Sequence, residues 1–209
     1  MANSYQIIDE KTWERAIHCA VFRNSVEPAF CVTFEVDITN FKHMVKKEGL
    51  SFTLARVYAV CKCANHIESF RYRFVDGKVA LYNKIDTAFT YLNENTGLFK
   101  VVNVPMLDDL KEYCELAAKT AEEQKEYFTG PLGNDVFQCS PMPWVTYTHI
   151  SHTNSGKKDN ATPLFDWGKY YEKDGRIMIP ISVQAHHSFV DGLHIGQFVE
   201  ELKRFLNEY

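Results

Sequence analysis

Ile177-Met178-Ile179-Pro180-Ile181-Ser182-Val183-Gln184-Ala185 runs directly into His186-His187-Ser188-Phe189-Val190-Asp191-Gly192. The first nine residues form an apolar run of strand length. From Asp191 to Leu206, Ile195, Phe198, Val199, Leu202, Phe205 and Leu206 recur at helical spacing and define one apolar face of an amphipathic helix. The stretch therefore predicts a strand that gives way to the final helix, with two histidines at the strand end. Imidazole is the side chain whose unperturbed pKa makes it a competent base near neutrality, and this junction is the first place to look for chemistry.

Working outward, Asp174-Gly175 just ahead of this strand and Asp76-Gly77 earlier each lie between apolar or β-branched runs, the sequence signature of a tight hairpin. Phe30-Cys31-Val32-Thr33-Phe34-Glu35-Val36 reads as a strand, and Asp37-Ile38-Thr39 as the start of a short helix. A first helix is expected from Asp9 to Val21, with Trp13, Ala16, Ile17 and Ala20 on its apolar side. Ser51 to about Phe70 is too densely apolar for a surface helix and reads as a buried one. Leu107 to about Phe128, with Leu110, Cys114, Ala117, Ala118 and Ala121 on one face, reads as an amphipathic helix covering a sheet. Strands and helices mix without regular βαβ alternation. The expected class is α+β with two layers: a large mixed, mainly antiparallel sheet with helices packed on it.

At 209 residues, 45% of them apolar, the chain can bury a substantial core, and its length suits a single domain over 1–209. The formal net charge of -4, with both signs interspersed, offers no basic field for nucleic acid. No stretch approaches the length of a membrane span, so a cytoplasmic protein is expected. The six cysteines, Cys19, Cys31, Cys61, Cys63, Cys114 and Cys139, fall mostly in apolar stretches and read as small reduced core residues. Cys61-Lys62-Cys63 lacks a matching pair at zinc-site spacing.

The residues alone leave two readings of His186-His187 and Asp191 open: a base at a strand end with a carboxylate supporting it, or a core histidine followed by a helix cap. A metal held by His186, His187, Asp191 and His194 ranks below both, because adjacent strand residues point to opposite faces.

His187-x-x-x-Asp191-Gly192, preceded by His186, resembles the active-site signature of chloramphenicol acetyltransferases. Other segments resemble the same family in the same order: Trp13-Glu14-Arg15-Ala16-Ile17-His18, Phe34-Glu35-Val36-Asp37-Ile38-Thr39, Ser140-Pro141-Met142-Pro143-Trp144-Val145 and Pro180-Ile181-Ser182-Val183-Gln184-Ala185. Dihydrolipoyl acyltransferases, condensation domains and plant acyltransferases share the short histidine motif. The latter two need about twice this length, and the dihydrolipoyl enzymes usually carry lipoyl domains on linkers.

The resemblance implies an acetyl-CoA-dependent O-acetyltransferase without a metal, a homotrimer with active sites at subunit interfaces, and chloramphenicol as the acceptor. It implies that His187 is the general base, that Ser140 hydrogen-bonds the oxyanion, and that Asp191 pairs with Arg15. It places Phe22, Val26, Phe30 and Phe99 around the acceptor, and Trp144 and Tyr170 near the coenzyme channel. The same aromatics also read as ordinary core residues. Asp166 stands where chloramphenicol-accepting members carry threonine; Cys19, Val26, Pro28 and Gln138 also depart from the family pattern around the acceptor. Two further expectations follow: the same chemistry on another hydroxyl or thiol acceptor, and, from a different class, a catalytically silent trimeric ligand-binding protein.

Overall fold

The computed structural model describes residues 3–129, 132–152, 157 and 159–209. In chain order the elements are β1 (Tyr5–Ile7), α1 (Ala16–Arg23), β2 (Ala29–Asp37), α2 (Thr39–Lys47), α3 (Phe52–Asn65), β3 (Tyr72–Val75), β4 (Lys78–Tyr82), β5 (Asp86–Asn93), β6 (Leu98–Val104), α4 (Leu110–Glu123), β7 (Val136–Pro141), β8 (Leu164–Trp167), β9 (Tyr171–Lys173), β10 (Arg176–His186) and α5 (Gly192–Asn207), with a 3-10 turn at Glu68–Arg71 before β3.

The main sheet has seven strands in the order β2-β10-β8-β7-β5-β6, with β9 paired to β10. Only the β5–β7 and β7–β8 pairs are parallel, so the α+β class with a mixed, mainly antiparallel sheet is what the chain adopts. Both Asp-Gly hairpins form, β3–β4 and β9–β10. Asp76 and Gly77 have φ of 48° and 76°, Asp174 and Gly175 51° and 74°. Two consecutive left-handed residues are what a tight type I′ turn requires.

The helices cover one face of the main sheet. Phe198 of α5 packs on Phe165 of β8 at 5.3 Å and Phe34 of β2 at 6.3 Å, and Phe137 of β7 meets Phe165 edge-on at 5.6 Å. The buried helix α3 presents Leu54, Ala55, Val57, Tyr58, Ala59 and Val60 to its surroundings on nearly all sides, as its unbroken apolar run demands. Side chains alternate along a strand. The partners Thr33, Ser182, Asp166 and Ser140 therefore form a polar row across β2, β10, β8 and β7 on the face away from the helices.

Three expectations are corrected. Helix α1 begins at Ala16 instead of Asp9, because Asp9 draws the chain into turns: its carboxylate accepts from the Lys11 N–H, and its carbonyl accepts from the N–H groups of Thr12 and Trp13. Cys19 is the buried residue of this helix, while Ile17 is 77% exposed and Ala20 is exposed. Helix α3 stops at Asn65, whose amide donates to the carbonyls of Cys61 and Ile85. Helix α4 stops at Glu123, since the Gln124 amide turns to the Val101 and Glu126 carbonyls, and Phe128 is exposed. A second sheet, β1-β4-β3, was not anticipated; all three residues of β1 are exposed and show no alternation to read.

Candidate active site

Strand β10 ends at His186, and the chain turns immediately into α5. The His186 carbonyl accepts from the N–H groups of Phe189 and Val190, and its Nδ1 accepts from the Ser188 N–H, so buried His186 builds the turn. His187 is carried on it. The His187 N–H donates to the Pro28 carbonyl at 2.8 Å, tying the turn to the start of β2. The imidazole stacks on Phe22 of α1, with ring centroids 3.9 Å apart and planes 4° apart, and leans on Phe30 of β2 at 4.7 Å. Its buried Nδ1 has no hydrogen-bond partner among the described residues, which leaves Nε2 as the nitrogen available to a ligand.

Arg15 reaches this turn from just before α1. Its Nε donates to the Ser188 carbonyl at 2.8 Å, one terminal nitrogen to the His187 carbonyl at 3.3 Å, and the other to Asp191 Oδ2 at 2.8 Å. A planar guanidinium can serve three acceptors at once in fixed directions. The Ser188 hydroxyl adds a bond to the Cys19 carbonyl. Asp191 also caps α5 through the Leu193 N–H, and His194 completes a capping box by accepting from the Asp191 N–H at 3.1 Å. Desolvation opposes the Asp191 charge, but Arg15, His194 and the Leu193 N–H outweigh it and hold the carboxyl below its ordinary range. His194 thus serves as a helix cap, and no cluster of three metal-ligating side chains exists among the described residues.

Ser140 and Asp166 lie elsewhere in the chain. Ser140 is level with Asp166, and Asp166 with Ser182, five residues before His187. With strands about 4.8 Å apart and about 3.3 Å of rise per residue, Ser140 stands ~19 Å from His187 within one chain. Phe99 lies still farther, on the outer strand β6, and is 53% exposed. Val26, in the loop before β2, is 85% exposed. The chain therefore gathers His187, Arg15, Asp191, Phe22 and Phe30 at one end of β10, and sets Ser140, Asp166 and Phe99 apart from them.

Asp166 is buried, and its Oδ2 pairs with Nε2 of His152 at 2.6 Å. Burial raises its carboxyl pKa to about 6, against the opposing pull of His152. Burial likewise lifts the Tyr147 phenol to about 12, with the neighbouring Ser182 hydroxyl opposing and the Asp166 charge reinforcing the shift. His152 borders two cavities. The first, of about 360 Å³, is lined by Pro28, Phe30, Cys31, Thr162 and Gln184 among others; the second, of about 240 Å³, contains Ser140, Gln138, Phe89 and Thr90. Neither His152 nor Tyr147 was singled out from the sequence, because each sits in a segment without periodicity. The interruption of apolar β10 by Ser182 and Gln184 was the available hint of a polar row.

Trp144 and Tyr170 share a third region. Gly168 joins it together: a Cβ there would lie 2.8 Å from the Val145 carbonyl and 2.9 Å from Pro180 Cγ, so only glycine allows the loop carrying Trp144 to lie against the end of β8. Lys169 N–H donates to the same Val145 carbonyl at 2.8 Å. Tyr170 meets Phe52 edge-on at 5.9 Å, with the Lys42 ammonium 4.2 Å over its ring, and Trp144 is 67% exposed. Exposed aromatic faces beside Lys42 and Lys169 offer stacking and cationic partners of the kind a purine ring and phosphates need.

The sequence profile of the family described as Chloramphenicol acetyltransferase matches residues 3–203. Chloramphenicol acetyltransferase 2 of Escherichia coli is 28% identical over 200 residues, spanning 94% of each chain. A solved chloramphenicol acetyltransferase superposes with a TM-score of 0.90 at 30% identity, covering 98% of this chain and 100% of its own. A dihydrolipoamide acetyltransferase of Azotobacter vinelandii shares the fold alone, with a TM-score of 0.65 at 18% identity over 92% of this chain and 86% of its own. With the profile running along nearly its whole length, the chain belongs to the chloramphenicol acetyltransferase family and is an acetyltransferase.

Proposed function

We propose that the chain moves the acetyl group of acetyl-CoA to a hydroxyl of a small acceptor, with chloramphenicol as the first candidate, at a site that two chains build together. The observation that carries this is the setting of His187: a histidine clamped between Phe22 and Phe30, on a turn fixed by Arg15, with one ring nitrogen buried and the other free. Nε2 of His187 takes the proton as the acceptor oxygen attacks the thioester carbonyl carbon. General-base help of this kind contributes about 100-fold to 10,000-fold. Ser140 donates to the carbonyl oxygen as it gains charge. The carbon–sulfur bond then breaks, and His187 returns the proton to the departing thiolate, so no acyl-enzyme is required.

The ~19 Å between Ser140 and His187, worked from strand geometry, supports a site completed by a neighbouring chain, and a homotrimer is the assembly we assign. Phe22 and Phe30 would line the acceptor pocket beside His187, while Phe99 and Asp166 would do so from the neighbour. The exposed apolar side chains Ile17, Val21, Val26, Leu98 and Phe99 suit subunit contacts or pocket walls. Trp144 and Tyr170, with Lys42 and Lys169, would hold the coenzyme. We read residues 1–209 as one acetyltransferase domain working in the cytoplasm; no helix among the described residues is long and apolar enough to cross a membrane.

The test follows free coenzyme A with a thiol reagent in the presence of acetyl-CoA and chloramphenicol, against a protein-only blank for the six cysteines. Turnover that falls by two to four orders of magnitude in a folded His187→Ala variant is expected. An unchanged rate in that variant would remove His187 as the base. A second reading keeps the chemistry and changes the acceptor, and it is favoured by Asp166, whose buried charge beside Ser140 alters the surroundings of the acceptor. A silent ligand-binding protein has no evident use for the clamped His187, and acetyl transfer at ordinary rates would exclude it.

A further inference from the structure

Among the described residues, Asp166 is the only acidic side chain in the buried interior, at 1% exposure. It sits in the polar row away from the helices, with Ser140 of β7 and Ser182 of β10 as its strand partners. His152 holds Oδ2 at 2.6 Å, whereas the buried Oδ1 has no hydrogen-bond partner among the described residues. A carboxylate has acceptor positions on both oxygens, and burying a charge is tolerated when it is paired and hydrogen-bonded. This one is only half satisfied. His152, 21% exposed, borders the two cavities, the smaller of which also contains Ser140. One partly exposed imidazole therefore touches both the incompletely paired carboxylate and the cavity that contains Ser140.

We propose that Asp166 is the counter-ion for a positively charged amine on the acceptor, so that this chain acetylates amino alcohols whose ammonium group takes the place His152 holds in the free protein. The inference rests on the reading of Ser140 as part of the acetyl-transfer site. An ammonium brings three donors and a full charge, enough to satisfy both oxygens of Asp166. A neutral amide brings donors without the charge. Pairing with the carboxylate keeps the amine protonated, so its nitrogen has no lone pair for the thioester and the hydroxyl remains the nucleophile. The carbon–oxygen bond forms as the carbon–sulfur bond breaks, the hydroxyl proton passes through His187 to the thiolate, and the ammonium is unchanged.

The test compares chloramphenicol with its deacylated amine, which keeps both hydroxyls and the nitrophenyl ring and carries an ammonium where the parent has an amide. In Asp166→Asn the ratio of kcat/KM for amine over amide is expected to fall about tenfold or more, as a charge-assisted contact is lost. In His152→Ala the amine KM is expected to drop, because the competing imidazole is gone. An unchanged ratio in folded Asp166→Asn, or an amine KM that does not drop in His152→Ala, overturns the proposal. Calorimetry of the amine without acetyl-CoA supplies a readout independent of transfer: binding weakened about tenfold in Asp166→Asn supports the subsite, and equal or absent binding in both proteins overturns it. Asp166-dependent amine binding with no coenzyme release from either acceptor would instead overturn the transferase reading and leave the subsite standing. Should Asp166→Asn fail to fold, Asp166→Thr enters the same comparison.

Discussion

Replacing Asp166 by Asn should make the protein more stable near neutral pH, although it removes the carboxylate that His152 holds. Burial is the dominant influence on this carboxyl and raises its pKa from 3.8 to about 6, His152 opposing only in part. A carboxyl whose folded pKa is raised contributes stability that is fully present below the unfolded value and is lost as pH rises through the folded value. Above pH 6 the folded protein therefore carries a charge that the unfolded chain accommodates more easily. A difference of about two pKa units amounts to about 3 kcal/mol. Asn keeps the shape and discards the charge, and the His152 ring left behind is partly exposed and open to water. For a chain of this size each kcal/mol shifts Tm by about 2–4 °C, so Asp166→Asn should melt up to about 6–12 °C higher at pH 7.5. Roughly half of that advantage should remain at pH 5 and little below pH 4, following the titration of a group between the two pKa values. Thermal unfolding of both proteins at equal concentration across this range reads the effect. A wild-type protein that is the more stable at pH 7.5, with an advantage that grows as pH rises, would refute the reasoning and make the Asp166–His152 pair a net stabiliser.

Arg15→Ala removes three hydrogen bonds from the His187 turn. It is expected to lower kcat about 10-fold to 100-fold through misplacement of the imidazole, with a smaller change in acceptor KM. Arg15→Lys, a point charge without the fork, should recover only part of the loss, and steady-state kinetics beside a thermal melt separates this from simple unfolding. Gly168→Ala drives a methyl group into the Val145 carbonyl and Pro180; it should cost about 1–3 kcal/mol of stability and raise the acetyl-CoA KM more than the acceptor KM, because the displaced loop carries Trp144.

The parts of the fold that the sequence revealed are those with local causes. Asp76-Gly77 and Asp174-Gly175 demanded left-handed turns and received them. The passage from β10 through His186-His187 to α5 was visible because an apolar strand, a cap at Asp191 and a helical stripe follow one another directly. The Arg15–Asp191 pair, by contrast, joins residues 176 positions apart, and only the resemblance to relatives pointed to it. The start of α1 departs from the helical spacing because Asp9 and Thr12 make local bonds that compete with the helix. The short strand β1 is exposed throughout, and nothing in its three residues marks it as part of a sheet. The spacing of His194 from Asp191 matches a capping box, and that local role outweighs metal ligation. The pairing of His152 with Asp166 depends on where an aperiodic segment lies over the sheet, and no pattern in the sequence encodes that.

A site built by two chains can be tested by complementation. His187→Ala and Ser140→Ala chains, each nearly inactive alone, would be unfolded together and reassembled as mixed oligomers, and coenzyme A release from acetyl-CoA and acceptor would be followed. If His187 of one chain works with Ser140 of its neighbour, some interfaces in the mixture contain both intact residues, and activity should return well above the sum of the two variants. Mixed oligomers that assemble and stay as inactive as their parents would contradict the shared site.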